Sequence, residues 1–326
     1  MKNSLHRSSF LVFFILIYHG LFAQDPEFSQ YYATTIYTNP ASTGSDFSRA
    51  ALAYRVQYYG LPGGFVTFNA SYDQHVKKLR GGLGIMFTND KAGEGILTSN
   101  SIYLSYSYEH EITKKIILRI GVQSGIFQKA LQWDKLRWGD QILSQLGYLG
   151  TTNETRIDKA ITRANFAAGA MVYSKKFYAG IACHNLLEPN QSFFAYAGPG
   201  TILPRRVTLH GGMLIPLDGK EDSKINISPN ILLMMQGKFN QMNIGFYANK
   251  GAMVAGFWFR TTTPNADAVI GMIGVRKNHF KFGFTTDFTI SNLKSAGKTA
   301  FEFTTIYEFK NKAQKKEEPR IRCPLY

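Results

Sequence analysis

A period of two runs through the stretch TAFEFTTIYEF, residues 299–309. One face of this stretch carries Phe301, Phe303, Thr305, Tyr307 and Phe309, and the opposite face carries Glu302, Thr304, Ile306 and Glu308. Because successive side chains of a strand point to opposite faces, the stretch predicts a β-strand with an aromatic face and a mostly polar face. In a soluble sandwich the aromatic face would point into a core. In a membrane barrel it would face lipid, and the polar face would line a wet lumen.

The same alternation recurs along the chain from Arg49 and predicts about fourteen strands. The other thirteen are expected near residues 49–58, 66–73, 82–88, 102–109, 116–128, 164–173, 177–186, 206–214, 224–235, 241–249, 253–260, 266–276 and 280–290. An even number of strands is typical of a single-chain outer-membrane barrel. Pro229 falls inside the ninth strand, where it would remove a ladder bond, so we expect a bulge or a shifted strand boundary there.

The connections between these strands alternate in length. Short and often basic connections lie at 76–80, 111–115, 174–176, 218–223, 250–251 and 277–279; longer ones lie at 89–100, 131–163, 187–204, 261–265 and 291–298. The connections at residues 60–64 and 237–238 are short, although they lie on the side where the longer connections are expected. Short turns on one side and longer loops on the other are the pattern of an up-and-down barrel inserted from the periplasm. A soluble sandwich has no reason to show this asymmetry.

The two ends of the chain differ from the strand region. Lys2 and Arg7, an apolar run over residues 10–18 and a small residue at Ala23 predict a secretory signal over residues 1–23, cleaved after Ala23. Residues 24–47 contain Pro26 and Asn39-Pro40 and are expected to form a non-strand leader, with the barrel over residues 48–309. Residues 310–326 form a basic tail, which this topology places in the periplasm.

Charge and cysteine content narrow the function classes. The formal charge is +15, and removal of Lys2 and Arg7 leaves +13, because residues 1–23 hold no acid. In an exported chain without a basic and aromatic recognition module, nucleic acid is a poor partner. Anionic envelope surfaces or an acidic protein fit better. The two cysteines, Cys183 and Cys323, do not make a disulfide framework; one bridge or two independent thiols remain open, and separate thiols are favoured.

The chain offers little that resembles catalysis. We find no His, Cys, Asp and Glu cluster with metal-ligand spacing, no phosphate loop and no G-x-S-x-G elbow, so no cofactor, metal or catalytic residue is predicted. His184 and Asp140 could be imagined as a catalytic pair, but hydrogen-bonding roles in a lumen or loop are favoured. Glycines at 60, 63, 64, 81, 82 and 84 are interpreted as turn and strand-start residues. The apolar side chains of residues 131–163 predict either a lid on the barrel or a protein-binding surface.

The leader is the part of the chain that resembles a known family. QDPEFSQY at residues 24–31 and YTNPASTG at residues 37–44 resemble the start of mature PorP/SprF outer-membrane proteins of type IX secretion and gliding systems. Weaker likenesses are LRWGDQ at residues 136–141, the segment 184–193 and Arg322-Cys323-Pro324. The residues that carry the resemblance, and so are interaction candidates, are Asp25, Pro26, Phe28, Ser29, Gln30, Tyr31, Asn39, Pro40, Ala41, Gly44, Trp138, Gly139, Asp140, His184, Pro189, Asn190, Cys323 and Pro324.

The resemblance implies a non-enzymatic, integral outer-membrane barrel that helps a type IX system deliver or anchor a cognate large surface protein, such as a gliding adhesin. It also implies contact with periplasmic components of that machinery and with outer-membrane lipid. Asn39-Pro40-Ala41 ahead of the strands also resembles FadL-type barrels, which import hydrophobic molecules and hold an N-terminal plug in the lumen. A transporter of apolar or small solutes is therefore the alternative, and a soluble lectin-like β protein is the third. In both barrel families, residues 24–44 are expected inside the lumen.

Overall fold

The computed structural model describes residues 25–45, 48–60, 63–143, 147–148, 152–154, 160–193, 201–219, 225–263, 268–290 and 299–309. Within them lie fourteen long β-strands. In chain order they are β1 (Ser48–Gln57), β2 (Phe65–Val76), β3 (Gly81–Ala92), β4 (Leu97–Thr113), β5 (Ile116–Leu131), β6 (Ile161–Tyr173), β7 (Phe177–His184), β8 (Arg206–Met213), β9 (Ile225–Gln236), β10 (Phe239–Lys250), β11 (Met253–Thr263), β12 (Ala268–Lys277), β13 (Phe280–Thr289) and β14 (Thr299–Phe309).

The fourteen strands form one closed antiparallel sheet. Each strand pairs with the next in sequence, and β14 closes the ring on β1, with Tyr54 opposite Phe303. The prediction of a fourteen-stranded antiparallel barrel with an N-terminal plug-like segment is confirmed. Closure pairs the first strand with the last, which is how a barrel satisfies its backbone groups within a membrane. No helix in the described part of the chain is long and apolar enough to cross a membrane.

The two faces of the wall follow the alternation in the sequence. On β14, Phe303 is 56% exposed, whereas Glu302 is fully buried. The aromatic face therefore points outward to lipid and the polar face points into the lumen. Outward rings also pack on one another across strands, as Phe284 and Phe303 do with centroids 4.7 Å apart. The strand that decides the fold class is oriented as an outer-membrane barrel requires.

Several strand ends differ from the predictions, and the connection between β3 and β4 differs most. β3 and β4 extend toward each other until only residues 93–96 connect them, rather than 89–100. Polar side chains pair across this extension, as in the 2.7 Å bond from Asn89 to Asn100. Pro229 causes neither a bulge nor a shifted boundary, because its strand pairs continuously with β10. Instead, the pairing of β8 with β9 stops at Asn230. Pro229, which has no backbone N–H to donate, therefore lies at a break in that ladder.

Residues 25–45 lie inside the barrel and form its plug, which we call the leader. The leader contains one turn of α-helix, α1 (Thr35–Thr38), followed by a 3₁₀ turn over Pro40–Ser42. Asn39 caps that turn by accepting a hydrogen bond from the Ala41 amide on its side chain, 2.9 Å away, and Pro40 occupies the first helical position, where no donor is needed. The leader runs from the long-loop end of the lumen, at Asp25, to the short-turn end, where β1 begins.

Candidate functional site

The leader is fixed near its start by a charged network, which we define as Ser29, Arg55, Arg260, Asp287 and Glu302. Arg55 contacts Asp287 at 2.8 Å and Glu302 at 3.2 Å, and Arg260 contacts the same Asp287 oxygen at 2.8 Å. The Ser29 hydroxyl lies between the two guanidinium groups, 2.6 Å from Arg55 and 2.8 Å from Arg260. Every member of the network is less than a tenth exposed. These inward-facing charges come from β1, β11, β13 and β14 and meet on one leader residue.

The leader backbone also binds this network directly. The amides of Ser29 and Gln30 donate to the two carboxylate oxygens of Glu302, at 2.6 and 2.9 Å. The Gln30 side chain donates to the Glu302 carbonyl at 2.9 Å, and Thr304 donates to Gln30 at 2.6 Å. Buried amides without partners would be costly, so a carboxylate that accepts two of them fixes the leader in one register.

Arg206 of β8 holds the middle of the leader. Its guanidinium donates to the Tyr37 hydroxyl at 2.8 Å and to the Tyr37 carbonyl at 3.0 Å, and it lies 4.4 Å from the Tyr37 ring centroid. It also pairs with Asp25 at 3.3 Å. Phe28 packs edge-on against Tyr37, and Tyr31 packs edge-on against Trp258, with centroids 5.1 Å apart in both pairs. One arginine thus joins the first leader residue to its helical turn.

The turn at Asn39 is bonded to three strands. Its side-chain amide lies 3.2 Å from the carbonyls of Ala170 and Ile181 and 3.0 Å from His210. His184, at the end of β7, contacts the carbonyl of Thr38 at 3.2 Å. Asn39 and Ala41 have no exposed surface. An asparagine followed by proline therefore supplies both the cap of the turn and its attachment to β6, β7 and β8.

The leader leaves the lumen through a second set of charged contacts. Asp73 accepts the Gly44 amide at 2.7 Å and pairs with Arg49 at 2.8 Å. Arg119 donates to the carbonyls of Thr43 and Gly44, at 2.5 and 3.0 Å, and is neutralised by Glu109 at 2.8 Å. Gly44 has a φ of +61°, which favours glycine. The last leader residues are thus clamped at the short-turn end.

Glycines in the wall make room for the leader. A Cβ at Gly121 would overlap the backbone of Pro40 and Ala41, and one at Gly169 or Gly180 would overlap the side chain of Asn39. Gly82 and Gly84 lie at the start of β3, in line with their interpretation as strand-start residues. They lie within β3, where added carbons would meet the leader at Thr43 and beyond, so their small size serves packing.

Two cavities of the lumen lie beside the beginning of the leader. One cavity of about 260 Å³ is bordered by Glu27, Arg55 and Arg260, and another of about 100 Å³ by Tyr103, Lys129 and Arg206. Asp25 and Pro26 line both cavities, so the leader separates them. Residues 25–27 are half-buried, whereas residues 28–45 are buried except for half-buried Tyr37. The barrel is therefore filled toward its short-turn end and hollow at its long-loop mouth.

The remaining predicted site residues lie away from the leader and the side chains that hold it. Trp138 packs against buried Trp133, with ring centroids 4.9 Å apart and the ring planes tilted by 37°, beside Gly139 in the connection after β5. Asp140 in that connection accepts hydrogen bonds from the amide of Asn153 and the hydroxyl of Thr152, which lower the pKa of its carboxyl. Asp140 and His184 thus have separate partners and form no catalytic pair. Within the described part of that connection, the lid and the protein-binding surface both remain predictions.

Pro189 and Asn190 lie in the connection after β7. There the Leu203 amide donates to the Pro189 carbonyl at 3.0 Å, and Asn190 forms an isolated bridge with Ile202. Cys323, Pro324, the signal and the basic tail lie outside the described residues. Cys183 has a free thiol and is half-buried in the wall.

Motif reasoning found the leader residues but missed the residues that hold them. The alternation places Glu302 on the polar face of its strand, and no motif marks Arg55, Asp73, Arg119, Arg206, Arg260 or Asp287. A charged side chain on the inward face of a membrane strand is itself a signal, because it needs a partner in the lumen. In the described part of the chain, no three His, Cys, Asp and Glu residues are grouped to hold a metal ion.

These features define the class of protein: an outer-membrane β-barrel of a bacterium, with its N-terminal leader fixed in the lumen. Among solved structures, the chain resembles the deltaS2 mutant of the monoaromatic hydrocarbon channel TodX, at 11% identity and a TM-score of 0.51, over 85% of this chain and 94% of that one. It resembles the monoaromatic hydrocarbon channel CymD at 12% identity and a TM-score of 0.50, over 86% and 93%. The Acinetobacter baumannii outer membrane protein Omp33 is 9% identical, with a TM-score of 0.47, over 82% and 100%.

At these identities the likenesses show the fold alone. Among curated proteins, no sequence matches this chain. The sequence profile of the type IX secretion system membrane proteins PorP/SprF matches residues 21–307. The chain belongs to the PorP/SprF family, as its leader predicted.

Proposed function

We propose that this barrel is a non-enzymatic component of the type IX secretion and gliding machinery, which supports secretion or surface attachment of a cognate large adhesin-like protein. Family membership over residues 21–307 is the observation that carries the proposal. The leader that fills the lumen is consistent with it, because a filled barrel suits a docking component better than a wide channel. The partners proposed here are the secreted surface protein, periplasmic components of the machinery and outer-membrane lipid.

The non-enzymatic part of the proposal is supported by the chemistry of the lumen. Its buried carboxylates and arginines neutralise one another and bind leader backbone, as Glu302 and Arg55 do. A catalytic group must instead be able to reach a substrate. The lumen charges are therefore assigned to holding the leader.

The test is a comparison of secreted and surface-exposed proteins between wild-type cells and a clean deletion of the gene, with complementation. The proposal predicts that one or a few large exported proteins are lost from the surface and restored by the complementing copy. Loss of most type IX cargo would make the chain a core component. An unchanged surface proteome would contradict the proposal, and uptake of apolar or small solutes by a FadL-like transporter would then be measured.

We also propose that the basic tail, residues 310–326, contacts the periplasmic machinery or anionic envelope surfaces. Its support is five Lys and Arg residues between positions 312 and 322, namely Lys312, Lys315, Lys316, Arg320 and Arg322. A complementing copy without residues 310–326 should insert normally and fail to display the cargo. Normal display by that truncated copy would refute the role of the tail.

A further inference from the structure

The wall of the barrel has a step between β6 and β7. β6 covers Ile161–Tyr173, but it pairs with β7 only over residues 168–173, because β7 ends at His184. On its other side, β6 pairs with β5 over Ile161–Tyr173. Residues 161–167 therefore have a strand neighbour on the β5 side and, among the described residues, none on the β7 side. We call this free side the β6 edge.

The backbone groups of the β6 edge can be assigned by alternation. The amide of Leu186, which follows β7, donates to the carbonyl of Phe166 at 3.0 Å, so residue 166 directs its backbone groups away from β5. In an antiparallel strand every second residue does the same, which includes Thr162 and Ala164. Ala164 is exposed, and its amide and carbonyl have no partner in the described part of the chain.

Nearby side chains partly cap this edge. The Asn165 side chain accepts the Phe166 amide at 2.9 Å, and Arg163 donates to the carbonyl of Thr162 at 3.1 Å. Such local caps are one way in which proteins protect a free strand edge. Arg163 is exposed and has no acidic partner among the described residues. The edge is thus capped by single, exchangeable hydrogen bonds rather than by another strand.

Two described residues of the connection after β7 lie toward the barrel mouth. Gln191 accepts a hydrogen bond from Lys129 of β5 at 2.7 Å, and Leu203 is buried beside the smaller cavity. Outward residues of β6 are apolar from Val172 to Phe166 and end in Ala164 and Thr162. An aromatic residue at the end of an apolar run marks the membrane interface, so the edge lies at or above it on the long-loop side. The free backbone groups of the edge are therefore accessible from the aqueous side of the membrane.

We propose that the β6 edge, centred on Ala164, binds an extended acidic segment of the secreted surface protein, which adds to the barrel wall as a further strand. An extended backbone offers both donors and acceptors at the spacing of Ala164 and Thr162. Arg163, released from its cap, would pair with an acidic side chain of that segment. This inference rests on the proposed function and names the surface that the cargo uses.

The test uses cells that express the full chain with a photo-cross-linking residue at Ala164, and the cargo that gene deletion removes from the surface. A matched control carries the same residue at Phe288, which also faces outward near the long-loop end of a strand and is 54% exposed. The expected result is a cross-link from position 164, and none from 288, to one short extended segment of that cargo. Cross-links to lipid, to a second copy or to this chain's own loops alone would overturn the inference.

A variant that changes the backbone of the edge tests the inference independently. Ala164→Pro removes the edge amide, and it leaves the ladder with β5 intact because that amide points away from β5. We expect surface-retained cargo to fall about fivefold to tenfold, while Ala164→Val retains it and both variants keep the heat-modifiable migration of a folded barrel. Wild-type retention in Ala164→Pro would overturn the inference. If the gene deletion itself leaves the cargo in place, the proposed function fails instead.

Discussion

The two ends of the leader are held in different ways. Residues 28–45 are buried apart from half-buried Tyr37, and they contact charged side chains and glycines of the wall; residues 25–27 are half-buried between two cavities. In residues 28–45, buried polar groups of the leader bind polar side chains of the wall, as the amides of Ser29 and Gln30 bind Glu302. The lumen is therefore closed toward the short turns and hollow at the long-loop mouth, and we call this arrangement the cup. This favours docking at the mouth over passage through the lumen.

The largest effect is expected from breaking the charged network. Arg55→Met leaves Asp287 paired with Arg260 and removes the arginine that pairs with buried Glu302, which should cost about 3–5 kcal/mol of the free energy of unfolding. Denaturant titration followed by the heat-modifiable shift of the barrel measures this. Tyr54→Leu is the matched control, because Tyr54 is the preceding residue and faces lipid. Equal stability of Arg55→Met and the control would mean that the network does not anchor the leader.

A smaller effect is expected from crowding the deep segment. Gly121→Ala places a methyl group on the backbone of Pro40 and Ala41 and should cost about 1–3 kcal/mol, with faster proteolysis of the leader. Gly271→Ala is the control, because an added carbon there meets no atom within 4 Å. Limited proteolysis of the purified barrel in detergent compares the two. If both variants protect the leader as well as wild type, the tight packing at the Asn39 turn is refuted.

The smallest effect is expected at the mouth. Asp25→Asn weakens the 3.3 Å pair with Arg206, which still bonds Tyr37, and Asp25 is partly exposed. We expect a loss of about 0.5 kcal/mol or less, as for pairs in contact with water. The same denaturant titration checks it. A loss as large as that of Arg55→Met would erase the contrast between the two ends of the leader.

Most of the wall followed from the sequence, because lipid outside and water inside impose opposite demands on alternate residues. The alternation of residues 299–309 correctly placed Phe303 outward and Glu302 inward. The ends of β3 and β4 were missed because polar residues such as Asn89 and Asn100 look like loop residues until they pair. The plug was expected from its motif, whereas its anchors come from strands as distant in sequence as β1 and β13. Such contacts depend on the closure of the ring, which no local pattern records.

The most direct test of the cup is the ionic conductance of the purified barrel in planar bilayers, with and without residues 25–44. We expect no steady conductance for the full chain, because the leader fills the lumen toward the short turns. Removal of the leader should open a stable pore, since a barrel of fourteen strands then encloses water. If the full chain conducts as steadily as the leaderless variant, the leader does not close the lumen.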